Sequence, residues 1–159
     1  MDLTLSRTLH NLTARLDRAA DRTLREEAAL SYPRFLALVM VGLYGADTQR
    51  ALAEHLGVTE PSASRMTRVL EEAGFLDAAP DPRGGNRNRL KLTQNGQRLV
   101  DRWGGSFEQR MAALTRASGV PYSEYLQMTQ RLLATVDEGA TPQSRARQAT
   151  TGGAGRTKR

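Results

Sequence analysis

The feature that most constrains the fold is a series of capping and turn residues in the middle of the chain. Thr48 is a suitable N-cap for a helix over 49–56, and Gly57 is suited to turn the chain after it. Thr59 is a suitable N-cap for a second helix over 60–73. The segment therefore predicts two short helices joined by a tight turn.

Beyond Gly74, which ends the second helix, the hydrophobic period changes. Residues 76–79 and 89–92 are short extended runs, and the second run alternates leucine with basic residues. The sequence PDPRGGNRN between them is composed of turn-forming residues. These runs predict a β-hairpin. Two short helices followed by a hairpin form the pattern of a winged helix-turn-helix, in which the second helix enters the major groove of DNA.

Two helices are predicted before this segment. Apolar residues over 5–24 recur in steps of three and four, which predicts an amphipathic helix of more than five turns. Ser31 is a suitable N-cap for the next helix, and residues 35–44 are apolar on every side before Gly45 ends it. We expect this second helix to be central and buried.

Two more helices are predicted after the hairpin. Thr93 is a suitable N-cap for a long helix interrupted by Gly104 and Gly105, where a kink is expected. A last helix is expected from near Ser123 to Gly139. The predicted fold is therefore mainly α with a small β-hairpin wing.

This order of elements predicts three regions. Residues 31–93 form a winged helix-turn-helix DNA-binding domain, residues 1–30 and 94–138 form a helical dimerisation region, and residues 139–159 form a disordered basic tail. The apolar stripes of the terminal helices are too long to be covered by the small DNA-binding domain, so we expect these helices to pair with a second copy of the chain. The alternative is a monomer whose terminal helices pack on one another.

The tail carries most of the net charge. Its five basic residues and no acid account for five of the six formal positive charges of the chain. It has no large apolar residue and cannot bury enough surface to offset the loss of chain entropy on folding. It is either a solubilising extension or a flexible arm that binds phosphates.

The composition narrows the class of function. The chain has no cysteine, which excludes disulfides, zinc held by cysteine, and catalysis or sensing by thiols. Its longest apolar run, residues 35–44, is too short to cross a bilayer, and the N-terminus lacks the features of a signal peptide. A cytoplasmic protein without membrane contact is expected.

The second short helix has a face suited to DNA. Its inward stripe is predicted to comprise Ala63, Met66, Leu70 and Ala73. The opposite face is centred on Ser64, Arg65 and Arg68, and arginine can bind guanine or phosphate. The alternative is an ordinary solvated face, with which Glu71 and Glu72 agree.

The predicted hairpin is strongly basic. Residues 81–91 contain one acid and four bases, namely Arg83, Arg87, Arg89 and Lys91. A thin basic hairpin is suited to the minor groove, where a narrow width concentrates negative potential. The alternative is loop charge that serves only solubility.

Residues 31–103 resemble the core of the MarR (multiple antibiotic resistance regulator) family of dimeric winged-helix transcription factors. The long first helix and the last two helices fit the dimerisation region of that family. The residues that carry the resemblance are Leu52-Ala53-Glu54-His55-Leu56-Gly57-Val58, Pro61-Ser62-Ala63-Ser64-Arg65, Leu70-Glu71-Glu72-Ala73-Gly74-Phe75-Leu76, Asp81-Pro82-Arg83, Leu90-Lys91-Leu92-Thr93 and Gly96.

The resemblance implies roles for individual residues. Ser62, Ser64, Arg65 and Arg68 would face the major groove, and Arg83 would be the minor-groove residue of the wing. Two positions depart from the family pattern. Gly84 replaces the second acid of the wing, and Arg68 stands where an acid often braces the wing arginines. The bracing is therefore missing or rebuilt in this chain.

The resemblance also implies a small anionic or phenolic effector. The candidates for its pocket are Arg15, Arg34, Tyr44 and Trp103, each equally plausible as a core or surface residue. No metal site or cofactor is predicted, because the two histidines of the chain form no cluster with carboxylates at ligand spacing. His55 is interpreted as a packing or capping residue.

These observations predict a homodimeric, sequence-specific DNA-binding transcriptional regulator of a near-palindromic operator. We expect a repressor relieved by its effector, because a dimer that covers a promoter can exclude polymerase. The alternative is a winged-helix module for protein–protein contact without specific DNA binding, which predicts a neutral or acidic wing. An enzyme is not expected, since the sequence shows no nucleophile–base arrangement and no phosphate-binding loop.

Overall fold

The computed structural model describes residues 4–80 and 88–137. Within these ranges the chain forms helices and one antiparallel hairpin in the predicted order. The fold class, mainly α with a two-stranded wing, is confirmed. The elements are α1 (Thr4–Ala28), α2 (Tyr32–Leu43), α3 (Gln49–Leu56), α4 (Glu60–Glu72), β1 (Leu76–Pro80), β2 (Asn88–Leu92), α5 (Gln94–Ala117) and α6 (Tyr122–Asp137).

The chain divides into two units, residues 1–108 and residues 109–159. The first unit holds α1 to β2 and most of α5, and the second holds the end of α5 and α6. The predicted boundaries of the DNA-binding domain and of the dimerisation region concern function, and they remain predictions. The predicted tail, residues 139–159, lies outside the described residues.

A single hydrophobic core organises the first unit. It joins α1, α2, α3, α4, the hairpin and α5. Its largest fully buried side chains are leucines from α1, α2, α3, α4 and both strands, together with Val100 of α5. Four aromatic rings meet in this core, with Phe107 5.5 Å from Phe35, 5.9 Å from Tyr32 and 6.1 Å from Trp103 between ring centroids. The winged-helix elements are therefore held as one packed body.

The buried helix α2 agrees with the prediction except at its C-terminal end. Phe35 and Leu38 are buried, but Leu43 and Tyr44 are each 63% exposed. Gly45 adopts a left-handed conformation with φ of +69°, which turns the chain so that Ala46 enters the core instead. The prediction that the whole apolar run is buried was wrong for this last turn.

The N-terminus of α2 is capped by a residue of α1. Ser31 occupies the N-cap position, but its side chain makes no capping hydrogen bond, so the predicted cap was wrong. Instead, the Asp21 carboxylate accepts a hydrogen bond of 2.8 Å from the backbone N–H of Tyr32. Arg25 donates to the same carboxylate at 2.6 Å. Both hydrogen bonds hold the pKa of Asp21 below its ordinary value, and the bond from Arg25 has the larger effect.

The hairpin pairs in a register that gives it one buried face and one exposed face. Leu76 lies opposite Leu92, and Ala78 lies opposite Leu90. Leu76 and Leu90 are buried, whereas Lys91 is exposed on the other face. The predicted alternation along the second strand is confirmed.

The start of α5 is fastened to the end of α4. The Thr93 hydroxyl donates to the carbonyl of Gly74 at 2.7 Å and accepts from the N–H of Gly96 at 3.1 Å, which confirms the predicted cap. Gly96 is required at this junction, because a Cβ there would lie 2.0 Å from the carbonyl oxygen of Phe75. Helix α5 then continues through Gly104 and Gly105 without a break in its helical hydrogen bonding.

In its described part, the second unit consists of the end of α5, a turn and α6. Gly119 adopts a left-handed conformation with φ of +67°, and the N–H of Val120 donates to the carbonyl of Thr115 at 3.0 Å. These contacts end α5 and direct the chain into α6. In the residues that the structure describes, no helix is long and apolar enough to cross a membrane.

Candidate nucleic-acid interface

The helix-turn-helix is built by the predicted caps. The Thr48 hydroxyl accepts from the N–H of Ala51 at 3.1 Å, and the Thr59 hydroxyl accepts from the N–H of Ser62 at 3.4 Å. Between the helices, Gly57 has a left-handed φ of +64° and its N–H bonds back to the end of α3. The capping and turn predictions for this segment are confirmed.

The inward face of α4 differs in part from the predicted stripe. Ala63 and Leu70 are fully buried and Met66 is half-buried, as expected. Ala73 is exposed, because α4 ends at Glu72 and Ala73 lies beyond its last turn.

Thr67 takes the remaining inward position. It is fully buried, and its hydroxyl donates to the carbonyl of Ala63 at 2.9 Å. Thr67 lies four residues after Ala63 and three before Leu70, which places it on the same face of the helix as those two residues. This spacing could have predicted its burial, because a threonine hydroxyl can donate to a backbone carbonyl of its own helix.

The outward face of α4 carries the predicted polar residues. Arg65 and Arg68 are exposed, and Ser64 is half-buried. Ser62 accepts hydrogen bonds from the Thr59 hydroxyl at 3.0 Å and from Nη2 of Arg65 at 3.1 Å. The Ser62 hydroxyl therefore links the cap of α4 to the guanidinium one turn further on. This arrangement presents two forked cations on one side of the helix and holds one of them at its N-terminal end.

The predicted wing contacts fall partly outside the described residues. Arg83 and Arg87 lie in the segment 81–87, which the structure does not describe. Arg89 lies in β2 and is half-buried, and its Nη2 is 2.7 Å from Oδ2 of Asp47 in the α2–α3 connection. A DNA contact by Arg89 stays a prediction, while its guanidinium has an acidic partner within the protein.

An acid at the end of α4 supports the hairpin. Glu71 accepts a hydrogen bond of 3.1 Å from the N–H of Ala78 in β1. Glu71 agreed with the alternative of a solvated face, but it is a half-buried contact between α4 and the wing. No pattern in the sequence identified this bond, because it depends on where β1 packs.

The four candidate pocket residues do not converge on the cavity between α1 and α2. That cavity has a volume of about 390 Å³ and is lined by Asp17, Arg18, Asp21, Arg25, Ser31, Tyr32, Pro33 and Leu36. Trp103 lies in the core, Arg15 is exposed on α1, Tyr44 is exposed directly after α2, and Arg34 is half-buried. The ligand role proposed for these four residues remains a prediction.

The histidines have no metal-binding environment in the described ranges. Among residues 4–80 and 88–137, no group of three or more His, Asp or Glu side chains could hold a metal ion. The His55 side chain is exposed, and its Nδ1 donates to the carbonyl of Ala51, one turn earlier within α3, at 2.8 Å. This bond does not cap the C-terminal carbonyls of α3, which are met by the N–H of Gly57.

The fold and this site define a winged helix-turn-helix protein, and comparison with known proteins gives the family. The sequence model of the MarR family matches residues 30–85. Over 99 residues the chain is 31% identical to an HTH-type transcriptional regulator of Mycobacterium bovis, Mb0904, covering 62% of this chain and 68% of the relative. The chain therefore belongs to the MarR family of winged-helix transcriptional regulators.

Solved structures agree in fold. The Staphylococcus aureus MepR–DNA complex is similar with a TM-score of 0.69 and 22% identity, covering 86% of this chain and 99% of that chain. BldR from Sulfolobus solfataricus has a TM-score of 0.71 and 18% identity, covering 83% of this chain and 94% of that chain. The predicted family and fold are confirmed.

Proposed function

We propose that this chain is a homodimeric regulator that binds a near-palindromic operator in double-stranded DNA and represses transcription until a small-molecule effector releases it. The proposed DNA binding rests mainly on helix α4, which has one buried face and one exposed face. Ala63, Thr67 and Leu70 are fully buried on one side, and Arg65 and Arg68 are exposed on the other. A helix anchored in this way can present its arginines to a groove without losing its packing.

The chemistry of the outward face fits base and phosphate recognition. A guanidinium can donate two parallel hydrogen bonds to guanine or to a phosphate. Ser62 holds Arg65 near the N-terminal end of α4, the end of a recognition helix that contacts bases. Arg68 lies one turn further along, where a phosphate contact is expected, and the small side chain of Ser64 allows close approach to the DNA backbone.

The wing is proposed to contact the neighbouring minor groove. The paired strands end at Pro80 and Asn88, and the sequence that connects them carries Arg83 and Arg87. Arginine is the side chain most suited to a narrow minor groove, where the negative potential is strongest. Arg83 is assigned this role by its place in the family wing pattern.

Dimerisation is supported by exposed apolar side chains on the terminal helices. In α6, Leu132 is 62% exposed, Leu133 60% and Val136 69%. In α1, Leu5 and Leu9 are also exposed. An apolar stripe of this kind on a soluble regulator marks a surface that another chain covers, and a second copy would place two α4 helices on one duplex.

Effector control is supported by the cavity between α1 and α2. Its volume of about 390 Å³ suits a small organic molecule. Tyr32 lines this cavity, and its hydroxyl, which is protonated at neutral pH as in any tyrosine, can donate to an anionic or phenolic oxygen. We propose that such an effector shifts the dimer away from the spacing of recognition helices that fits DNA.

The proposal is tested by selection from random duplexes with the purified full-length chain. The expected result is a recovered near-palindrome whose half-sites are about one DNA turn or a multiple apart. Recovery of no preferred sequence at near-physiological salt would contradict specific DNA binding and favour the protein–protein module. A DNA-binding role also agrees with the predicted cytoplasmic location, since the regulator must reach the chromosome.

A further inference from the structure

Asp47 contacts two consecutive residues of the wing strand β2. Its Oδ2 lies 2.7 Å from Nη2 of Arg89, and its backbone carbonyl accepts a hydrogen bond of 2.8 Å from the N–H of Leu90. One contact is made by the side chain and the other by the backbone. The same residue therefore fixes both the position and the direction of the strand at this point.

The backbone of Asp47 is itself held on both sides. Ala46 is fully buried, and its N–H donates to the carbonyl of Met40 at 3.0 Å. Thr48 caps α3 through its bond to the N–H of Ala51 at 3.1 Å. Because both neighbours of Asp47 are fixed to helices of the core, its carboxylate is presented from a rigid support.

The position of Arg89, the basic member of the ion pair, is also constrained by its neighbours. The Arg89 side chain is 30% exposed and the Asp47 side chain is 41% exposed, so the pair lies at the edge of the protein body. The next residue, Leu90, is buried in the core. Ala79 of β1 lies opposite Arg89 in the strand register. The ion pair thus fastens the loop end of the paired strands to the α2–α3 connection, directly before the helix-turn-helix.

We infer that Asp47 and Arg89 are positioning residues, which hold the wing against the helix-turn-helix in the geometry that binds DNA, and that Arg89 is not itself a DNA contact. The inference rests on the proposed DNA-binding function.

The competing arrangement is one in which Arg89 leaves Asp47 and binds a phosphate. The two arrangements predict opposite effects on DNA affinity when the negative charge of Asp47 is removed. If Arg89 contacts DNA, loss of the Asp47 charge frees the arginine and binding is equal or tighter. If the pair positions the wing, loss of either member weakens binding in the same way.

The test uses the full-length chain and a selected duplex, with affinity measured over a series of salt concentrations. Asp47→Asn and Arg89→Gln are each expected to lower affinity about threefold to tenfold, with the double variant no weaker than the weaker single variant. Asp47→Glu should retain more affinity than Asp47→Asn. The salt slope of Arg89→Gln should equal that of the wild type, because no phosphate contact is lost.

A matched control and a selectivity measurement separate positioning from general destabilisation. Glu54→Gln removes an acid from the Arg50–Glu54 ion pair on α3, and it should not weaken binding. Preference between duplexes with A·T-rich and G·C-rich flanks should fall in Asp47→Asn and persist in Glu54→Gln. A loss of stability alone would leave that preference unchanged.

Two results of the binding measurements would overturn the inference. One is an Asp47→Asn variant that binds as well as the wild type, and the other is an Arg89→Gln variant whose salt slope falls by about one. Hydrogen exchange at the Leu90 amide tests the pair without DNA, and faster exchange is expected in Asp47→Asn. A wild-type chain that selects no duplex would instead contradict the proposed function, while unchanged exchange at Leu90 would contradict the pair.

Discussion

Arg65 is the residue whose surroundings most directly suggest base recognition. Its guanidinium donates to Ser62, whose hydroxyl also contacts the cap residue Thr59. The side chain is exposed, so its remaining donors face outward from α4. A charge held at the N-terminal end of a recognition helix loses less conformational entropy on binding than a freely moving one.

Arg65→Ala is expected to weaken binding to the selected duplex by about 1–3 kcal/mol. If Arg65 meets a phosphate, the salt slope should also fall by about one, and if it meets guanine, preference at one base pair should relax. Fluorescence anisotropy over a salt series and with single-base variants of the duplex measures both effects. Arg22→Ala removes the same charge from an exposed position on α1 and should have little effect. Equal losses in the two variants would refute the assignment.

For individual residues, prediction from the sequence succeeded where the role of a residue depends only on its near neighbours in the chain. The capping roles of Thr48, Thr59 and Thr93 depend on neighbours within a few residues, and the structure confirms them. The buried position of Thr67 and the partner of Glu71 depend on packing between elements. The periodicity gave Thr67 no role, and it named Glu71 only as agreeing with the alternative of a solvated face.

At the scale of elements, two junctions fasten α1 and α5 to the elements between them. Asp21 joins α1 to the N-terminus of α2, and the contact between Gly96 and Phe75 joins the start of α5 to the end of α4. Neither junction could be read from the sequence. Ser31 has the expected residue type for a cap, but an acid eleven residues before Tyr32 provides the bond instead.

The Asp21 junction predicts a pH dependence of stability. Because the folded state lowers the pKa of this carboxyl, its contribution is present above the ordinary value of 3.8 and is lost as the pH falls through the lower, folded-state pKa. The wild type should therefore be more stable than Asp21→Asn near neutral pH, and the difference should shrink below about pH 4. Urea unfolding at a series of pH values measures the difference, with Asp17→Asn as the control. A difference that stays constant down to pH 2 would contradict the junction.

The Gly96 junction predicts a steric effect on stability. A Cβ at this position would lie 2.0 Å from the Phe75 carbonyl oxygen, so α5 or β1 must move. Gly96→Ala should lower the free energy of unfolding by about 1–3 kcal/mol. Gly105→Ala is the control, because a Cβ there meets no atom within 4 Å, and it should be neutral or stabilising by about 0.5–1 kcal/mol. The same urea measurement compares the two, and a stable Gly96→Ala variant would show that the close approach is relaxed in solution.

At the scale of the whole molecule, the proposed function requires two copies of the chain. The apolar residues of α6 were recognised from the sequence, and they are exposed in the single chain. The sequence could not assign their partner, because a stripe that covers another helix of the same chain has the same period as one that covers a second copy.

Leu133→Glu is expected to weaken self-association. Removal of a leucine from an interface costs about 1.5–3 kcal/mol, which corresponds to a dissociation constant raised roughly tenfold to a hundredfold. Gln130→Glu adds the same charge to an exposed polar position of α6 and should leave the dimer intact. Sedimentation equilibrium of the wild type and both variants measures the change. A wild-type chain that sediments as a monomer at micromolar concentration would contradict the dimer.

The central claim is that two copies of the chain place two α4 helices in successive major grooves on the same side of one duplex. It is tested most directly by inserting five base pairs between the half-sites of the selected operator, which moves one half-site to the opposite side of the duplex because a DNA turn is about 10.5 base pairs. Our account predicts a loss of affinity of about a hundredfold or more, with substantial recovery after insertion of ten base pairs. Equal affinity for the original duplex and for the five-base-pair insertion would contradict it.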